Sequence, residues 1–151
     1  MFYKNKLKEI REENEIKQKF LADMLKIREN AYSQYETEYV IIPIKHLNTI
    51  CNYFDVSIDY IFEFTSTRKY RSLSTNIDKD LMRDRLKELR KKYNLTQKEL
   101  ANSINVAAST ISDYERRAKV IATPFLYDIC KNYHVSADYM LGKTNSPKYI
   151  K

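Results

Sequence analysis

Apolar and polar positions follow helical spacing most clearly between residues 96 and 115. Thr96 can accept a hydrogen bond from a backbone N–H at a helix start, and Glu99 stands at the reciprocal position of a capping box. The residues that then fall on one face of the helix are apolar, namely Leu100, Ala101 and Ile104. The pattern therefore predicts a short helix from Gln97 to Ile104.

A second short helix is predicted directly after the first. Asn105 tolerates a left-handed backbone and interrupts the apolar run. Apolar positions resume at Ile111 and Tyr114, which predicts a helix from Ala108 to Glu115 with those two side chains buried. Small side chains at the start of this helix stay off the buried face. Two short helices joined by a turn of this length form the geometry that places the second helix in the major groove of DNA.

The stretch 96–115 resembles the helix-turn-helix of the Cro/C1 phage-repressor family, which also occurs as the xenobiotic-response-element (XRE) type of bacterial regulator. The resemblance implies an all-α DNA-binding domain of the lambda-repressor type. The alternative for the same pattern is a helical hairpin inside an ordinary all-α domain. The motif is long and the residues that flank it also fit the family, which favours the DNA-binding interpretation.

The chain contains the same module twice. A shift of 79 residues, which lays Leu7 over Leu86, aligns residues 7–63 with residues 86–142 without a gap. Identical pairs recur along the whole alignment, among them Arg11 with Arg90, Tyr35 with Tyr114, Glu36 with Glu115 and Asp59 with Asp138. Chance does not produce such a match, so the sequence predicts two copies of one domain.

Each copy is predicted to contain five helices, so the predicted fold is all-α with two tandem five-helix domains. In the second copy the helices are predicted at 78–93, 97–104 and 108–115, followed by one that starts at Thr123 and Pro124 and one that Ser136 caps and Gly142 ends. In the first copy the predicted features are helices near 18–25 and 29–36, a helix start at Pro43 and a cap at Ser57.

Residues 65–77 between the copies are predicted to form a linker. They are rich in Ser, Thr, Lys and Arg and show no apolar periodicity. The predicted domains are therefore residues 1–64 and 78–151. About a dozen extended residues span up to roughly 40 Å, which is enough to set two recognition helices one turn of duplex apart.

The composition supports an all-α protein with a polyanionic partner. The 151 residues include one Gly, three Pro and no Trp, so helix-breaking residues are few. The net charge of +7 and the pI of about 9.3 suit nucleic acid, although many soluble proteins share them. No apolar run approaches the roughly 20 residues of a membrane span, and the start lacks the apolar core of a signal peptide, so we expect a cytoplasmic protein.

Catalysis is not expected from this sequence. Cys51 and Cys130 stand in apolar helical contexts without a CxxC pattern or a Cys or His at metal-ligand spacing, so both are predicted to be buried thiols. His46 and His134 have no nucleophile, carboxylate or metal-ligand pattern around them. Neither a glycine-rich phosphate loop nor paired acids at helical spacing are present. We therefore expect a protein that is not an enzyme, that uses no cofactor and that has no evident small-molecule ligand.

The resemblance implies a nearly complete DNA-binding surface in the second copy. Gln97, with Lys98 beside it, stands where the second helix of the family begins. In the family, the side-chain amide at this position and the helix N-terminus hold a DNA phosphate. The third helix supplies the residues that face base edges or lie beside them, namely Ala108, Ser109, Thr110 and Asp113. The loop that runs along the DNA backbone follows with three cations, namely Arg116, Arg117 and Lys119. A solvated basic loop is the alternative for these three cations.

The third helix of the second copy offers specific base contacts. Ser109 can exchange a hydrogen bond with a base, and the methyl group of Ala108 can pack on thymine. Asp113 can accept a hydrogen bond from a cytosine amine. Because phosphates repel a carboxylate, its alternative role is to reject the wrong bases.

The first copy keeps part of this surface. Its candidate DNA-binding residues are Lys17, Gln18, Arg28, Asn30 and Gln34. Residues 1–63 hold nine Lys and Arg against eleven Asp and Glu, while residues 86–151 hold twelve against six, so the excess of basic residues lies in the linker and the second copy. In place of the three cations of the second copy, the first has Thr37, Glu38 and Val40, beside Tyr39 and Ile41. We expect this surface to repel phosphate and to expose apolar groups.

Two ion pairs and two loop positions are expected to shape the domains. The resemblance implies structural ion pairs between the first helix and the end of the third, namely Arg11 with Glu36 and Arg90 with Glu115. The family usually has Gly shortly after the third helix, where the backbone is left-handed. Glu38 and Arg117 stand there instead, so the shape of this loop stays open.

The resemblance implies a transcription regulator of bacterial, plasmid or phage type that acts on double-stranded DNA, and we expect a repressor. Two versions of this function are open. In the first, which we favour because Gln18, Asn30 and Gln34 are retained, both copies contact adjacent half-sites. In the second, the first copy serves dimerisation or partner binding. A homodimer stays open, and no membrane partner is expected. The alternative class is a protein-interaction module, such as an antitoxin or an antagonist of a regulator, which the apolar stretch 39–42 motivates.

Overall fold

The computed structural model describes residues 2–70 and 72–149, and every regular element in these ranges is an α-helix. The chain divides into two compact units. The first contains residues 2–70 together with Tyr149, and the second contains Ser72–Lys148. The predicted all-α fold of two tandem helical domains is confirmed.

Each unit contains five helices, as the sequence predicts. In the first unit they are α1 (Lys4–Glu13), α2 (Gln18–Leu25), α3 (Glu29–Glu36), α4 (Ile44–Phe54) and α5 (Ile58–Ile61). In the second unit they are α6 (Lys79–Lys92), α7 (Gln97–Ser103), α8 (Ala108–Arg116), α9 (Thr123–Tyr133) and α10 (Ala137–Met140). The predicted bounds of α2 and α3 agree with the structure. α7 ends one residue earlier than predicted, because Ile104 leaves the helical conformation with φ of −123°.

Capping side chains start several of these helices where the sequence places them. Thr96 and Glu99 form the predicted capping box of α7, with both reciprocal hydrogen bonds present. Ser57 and Ser136 accept hydrogen bonds from backbone N–H groups at the starts of α5 and α10. Asp78 caps α6 in the same way, so that helix begins one residue after the predicted start.

Left-handed residues end the helices at matching positions of the two units. The pairs, each 79 residues apart, are Glu15 with Asn94, Lys26 with Asn105, Asp55 with His134 and Glu63 with Gly142. Asn105, with φ of +56°, therefore interrupts the helix-turn-helix as predicted. Gly142 is required for a second reason, because a Cβ atom there would lie 2.6 Å from Cβ of Asp78. Glu38 is also left-handed, with φ of +60°, but its counterpart Arg117 is extended, with φ of −109°.

Each unit has its own apolar core. In the second unit the buried faces of α7, α8 and α9 carry Leu100, Ile111, Leu126 and Ile129, all fully buried. The same positions of the first unit hold Leu21, Tyr32, Leu47 and Ile50. Cys51 and Cys130 are buried thiols in these cores, which confirms the prediction for both.

Part of the predicted linker packs on the first unit. The backbone N–H of Ser57 donates to the carbonyl of Arg68 at 2.7 Å, and the Tyr70 hydroxyl donates to the Asp59 carboxylate at 2.7 Å. In the second unit the N–H of Ser136 donates to the carbonyl of Pro147 at 2.9 Å, which is the same bond 79 residues later. The repeated structure therefore extends beyond the segments 7–63 and 86–142 that align in sequence. The sequence repeat continues there at single positions, namely Thr65 with Thr144, Lys69 with Lys148 and Tyr70 with Tyr149.

Candidate nucleic-acid interface

The helix-turn-helix of the second unit is formed by α7 and α8, which pack on each other. The turn between them passes through left-handed Asn105 and half-buried Val106. Tyr114 and Ile111 lie on the buried face of α8, so its opposite face is left to solvent. Ala108 and Ser109 are exposed at the start of that face, and Thr110 beside them is half-buried. The predicted base-contacting positions are therefore accessible in the first turn of α8.

A glutamine at the start of the helix-turn-helix is held by a buried carboxylate. Gln97, the first residue of α7, donates from Nε2 to Oε1 of Glu115 at 3.4 Å. An amide nitrogen has two hydrogens, so one N–H remains for another acceptor. Lys98 next to it is exposed. This end of α7 therefore presents an amide donor, an ammonium group and the positive end of a helix, which together suit a phosphate.

Three exposed cations, Arg116, Arg117 and Lys119, surround one carboxylate at the end of α8, and we call these three residues the basic cluster. Oδ1 of Asp113 lies 3.5 Å from Arg116 and 3.3 Å from Arg117, while Lys119 contacts Oδ2. The Lys119 ammonium also lies 5.2 Å from the centre of the Tyr114 ring. The hydrogen bond from Lys119, together with the charges of all three cations, holds the pKa of Asp113 below its usual value. Asp113 is therefore charged at neutral pH and already has cationic partners.

Both ion pairs named in the sequence analysis are present, and they have the same geometry. Arg90 donates to the two carboxylate oxygens of Glu115 at 2.7 and 2.9 Å, and Arg11 donates to those of Glu36 at 2.5 and 3.0 Å. The carboxylates of Glu36 and Glu115 are almost completely buried. These pairs tie the first helix of each unit to the end of its third helix, so they position the candidate recognition helices without facing solvent.

The first unit presents a similar but less basic helix-turn-helix. Gln18 at the start of α2 donates to Glu36 at 3.2 Å, as Gln97 does to Glu115. The other candidates, Lys17, Arg28, Asn30 and Gln34, are exposed on or next to α2 and α3. An additional carboxylate, Glu29, is exposed in the first turn of α3, where the second unit has Ala108. The recognition helix of the first unit thus offers amide donors and acceptors but fewer cations.

Glu38 has a structural role that sequence analysis missed. Its carboxylate accepts hydrogen bonds from the backbone N–H groups of Phe2 and Lys4, each at 3.1 Å, so it caps the start of α1. Tyr3 in the same turn accepts from the N–H of Ile42 at 2.9 Å and so fixes the loop after α3. Glu38 is thus a cap of α1 as well as a negative charge of this loop, and the expectation that the loop surface repels phosphate stays a prediction.

The loop after α3 also exposes apolar groups, as expected. Tyr39 is 82% exposed and Val40 is 42% exposed. The left-handed conformation expected after the third helix is adopted by Glu38 but not by Arg117. The contacts of Glu38 with α1 explain its unfavourable backbone, because they fix the residue in place. In the second unit Met82 and Arg117 replace Tyr3 and Glu38, so neither side chain can form these bonds.

Across residues 2–70 and 72–149, no group of three or more His, Cys, Asp or Glu side chains is placed to hold a metal ion. In the same ranges, no helix has the length and apolar character needed to cross a membrane.

Comparison with known proteins places the two copies in one family. The model of the helix-turn-helix family matches residues 7–61 and again residues 86–140. The HTH-type transcriptional regulator ImmR of Bacillus subtilis (strain 168) is 42% identical over 64 residues, which cover 42% of this chain and 50% of that protein. The uncharacterized HTH-type transcriptional regulator YobD of the same organism is 40% identical over 63 residues, which cover 42% of this chain and 56% of that protein.

The matched segment spans about half the length of each of these curated relatives. No solved structure gives a significant match to the chain. The family model covers most of both predicted domains. The chain belongs to the helix-turn-helix family, and its predicted resemblance to the XRE-type members is confirmed.

Proposed function

We propose that the chain is a sequence-specific regulator of transcription, of bacterial, plasmid or phage type, that binds double-stranded DNA. The observation that carries the proposal is the surface of α7 and α8, where the first turn of α8 is accessible and Gln97 and the basic cluster both lie near the last turn of α8. Family membership and the two relatives named as transcriptional regulators support it. In this proposal α8 enters the major groove, and the groups on either side of it contact phosphates.

The contacts divide by chemistry into those that position and those that specify. Phosphates attract the basic cluster and accept hydrogen bonds from Gln97, so these residues supply affinity that depends on salt. Ser109 and Thr110 can exchange hydrogen bonds with base edges, and the methyl of Ala108 packs on thymine. Loss of a phosphate contact should weaken binding to all sequences, whereas loss of a base contact should change the preferred sequence.

We further propose that the first unit contacts an adjacent half-site through α3. Asn30 and Gln34 are exposed on that helix, and both amides can bond to adenine in two places. Gln18 holds the same position against Glu36 that Gln97 holds against Glu115. The resulting protein would bind two half-sites with one chain. Binding at a promoter would then block transcription, so the proposed regulator is a repressor.

A second candidate function rests on the loop after α3. Tyr39 and Val40 are exposed apolar groups in the place where the second unit has Ala118 and Lys119. Such groups favour contact with a protein over contact with a phosphate backbone. In this alternative the first unit binds a protein partner, as an antitoxin or an antagonist of a regulator would, and the second unit alone binds DNA.

Selection of bound duplexes from a random pool at physiological salt separates these functions. The whole protein is compared with Arg116→Ala/Arg117→Ala, and with Lys131→Ala/Lys148→Ala as a control that removes two exposed positive charges elsewhere in the second unit. We expect two half-sites about ten base pairs apart, with weaker recovery only for the first double variant. One short site would favour protein binding by the first unit, and no enriched sequence would overturn specific DNA binding.

The repressor assignment needs a separate test. The selected site is placed over the start of a reporter gene, and the reporter output is measured with and without the protein. Repression predicts lower output with the wild-type chain and restored output with Arg116→Ala/Arg117→Ala. An increase in output would contradict repression while leaving DNA binding intact.

A further inference from the structure

The carboxylate of Asp113 lies beneath the basic cluster. Its side chain is 24% exposed, whereas those of Arg116, Arg117 and Lys119 are 68%, 69% and 50% exposed. The cations therefore cover the carboxylate, and each directs at least half of its side-chain surface to solvent. Each arginine has five N–H donors and the lysine has three, so every member keeps donors after contacting Asp113. The arrangement is a set of cations gathered over one internal anion.

We propose that Asp113 is a positioning residue that organises the basic cluster for phosphate contact and so sets the discrimination between specific and non-specific DNA. This inference rests on the proposed function and assigns to Asp113 a role other than contact with a base. The residue acts through the cluster, so its effect extends over the whole binding site instead of one base pair.

The geometry argues against direct contact with a base. Both carboxylate oxygens are engaged, Oδ1 with the two arginines and Oδ2 with Lys119. The three cations take three of the roughly four acceptor sites of the carboxylate, so a cytosine amine would have to approach through the cations that cover it. The low pKa of the carboxyl keeps it ionised over the range in which DNA binding is measured.

The first unit provides an internal comparison. Position 34, which aligns with Asp113, is Gln, and Thr37, Glu38 and Val40 replace the three cations. The carboxylate is thus present in the copy that has the cluster and absent in the copy that lacks it. A side chain that contacts only bases need not differ between the copies when the loop differs. An anion that positions the cations should be present only in the copy that has them.

Two physical effects make Asp113 favour specific DNA. First, its ion pairs hold flexible side chains in place, so less conformational entropy is lost when they meet correctly spaced phosphates. Second, its negative charge reduces the attraction of the cluster for any phosphate, which weakens non-specific binding. Neutralising the carboxylate should therefore weaken or leave unchanged the specific complex while strengthening the non-specific one, so the ratio of the two affinities should fall.

The test compares Asp113→Asn and Asp113→Glu with the wild type in the full chain. Asp128→Asn is the matched control, because this half-buried aspartate on α9 lies near Lys131 and the change removes the same charge from the same unit. For each protein the Kd is measured for the selected duplex and for a random duplex over a series of salt concentrations, and the selection is repeated. Thermal unfolding checks that each variant is folded.

For Asp113→Asn we expect the ratio of specific to non-specific affinity to fall about tenfold and the salt slope for random duplex to steepen by up to about one, with the preferred sequence unchanged. Asp113→Glu keeps the charge and should stay within about threefold of the wild type. In spectra of the DNA-free protein, the Nε–H resonance of Arg117 should shift in Asp113→Asn but not in Asp128→Asn, because that nitrogen lies 3.3 Å from Asp113.

Three outcomes would overturn the inference. A changed preference at one base pair in Asp113→Asn would make the residue a direct base contact. An unchanged affinity ratio would show that the carboxylate has no role in discrimination. If the wild type selects no sequence, the proposed function fails and the inference with it, whereas the first two outcomes leave the proposed function standing.

Discussion

The Arg90 guanidinium meets the Glu115 carboxylate at two points, with Nε 2.7 Å from Oε2 and Nη2 2.9 Å from Oε1. Its remaining nitrogen, Nη1, donates to the carbonyl of Leu95 at 2.9 Å. One side chain of α6 thereby fixes both the end of α8 and the turn that leads into α7. Arg11 makes the same three contacts with Glu36 and Ile16 in the first unit. The orientation of each candidate recognition helix thus depends on one buried ion pair.

Replacing Arg90 with Leu should destabilise the second unit strongly. The change leaves the Glu115 carboxylate buried and unpaired, which costs about 3 kcal/mol of unfolding free energy. The measurement is urea unfolding followed by amide NMR signals of the second unit. Arg83→Leu is the control, because its pairs with Asp80 and Asp84 are exposed and are worth about 1 kcal/mol at most. Equal losses in the two variants would contradict a structural role for the Arg90 pair.

Glu38→Gln should destabilise the first unit by about 1 kcal/mol, the usual contribution of a helix cap. The carboxylate accepts from the N–H groups of Phe2 and Lys4, and a neutral amide oxygen is a weaker acceptor at the positive end of α1. The measurement is urea unfolding of the whole chain, followed by NMR signals of the first unit. Glu12→Gln, an exposed change within α1, is the control and should have little effect. An unchanged unfolding free energy for Glu38→Gln would contradict the capping role.

The same contacts decide how DNA binding by the first unit can be tested. A charge reversal such as Glu38→Lys would place an ammonium group against the N–H groups at the start of α1 and remove its cap. A loss of binding in that variant would then report loss of structure as well as changed electrostatics. Substitutions at Thr37 and Val40 avoid this problem, because neither side chain caps α1.

Acid should destabilise the first unit through Glu36. Burial raises the pKa of this carboxyl, but hydrogen bonds led by those from Arg11 outweigh it, and the net pKa lies below the usual 4.5. The unfolded chain therefore binds the proton more tightly than the folded chain does, so the stabilisation is present above pH 4.5 and is lost as the pH falls through the folded pKa. Urea unfolding at a series of pH values measures this loss.

The control for this pH dependence is Glu36→Gln. It removes the titrating group, so the acid-dependent loss in the first unit should become smaller in this variant, although its stability at neutral pH should already be lower. If the wild type and the variant lose the same free energy between neutral pH and the acid range, then another carboxyl is responsible. Signals of the second unit provide an internal reference in the same samples.

Local features of the fold could be predicted from the sequence because neighbouring residues determine them. The capping box of Thr96 and Glu99 and the left-handed Asn105 set the bounds of α7 to within one residue. Because residues 7–63 align with residues 86–142, the same predictions applied to α2 and α3 of the first unit. The exposed start of α8 followed from the burial of Ile111 and Tyr114, whose spacing identifies the inner face.

Features that depend on distant residues could not be predicted in this way. Glu38 and Phe2 are separated by 36 residues, and nothing in the local sequence of either predicts the bond between them. The bond between Ser57 and Arg68 joins backbone groups, so the side chain of Arg68 does not predict it, and Pro147 makes the same bond in the second unit. The contacts of Asp113 with Lys119 depend on the path of the loop after α8. The sequence left that path open, because Arg117 stands where the family usually has Gly, and Arg117 is extended instead of left-handed.

The cations and the carboxylate of the basic cluster can be introduced at the aligned positions of the first unit. Thr37→Arg/Val40→Lys introduces two cations at positions that align with Arg116 and Lys119 and leaves Glu38 in place. Gln34→Asp is then added to supply the aligned carboxylate. If α3 lies in the major groove as proposed, the two cations should steepen the salt slope for random duplex by about two, because each neutralises one phosphate. The added aspartate should reduce this non-specific gain.

The measurement is the Kd for selected and random duplexes across salt concentrations. As a control, Lys substitutions at two half-buried positions of α4, Thr49→Lys/Asn52→Lys, add the same charge. We expect the control to change the salt slope less, since α4 is not the helix that enters the groove. Equal slopes in the two double variants would mean that the loop after α3 is not beside the phosphates. That result would favour a protein partner on Tyr39 and Val40, because their exposed surface would then have no DNA to face.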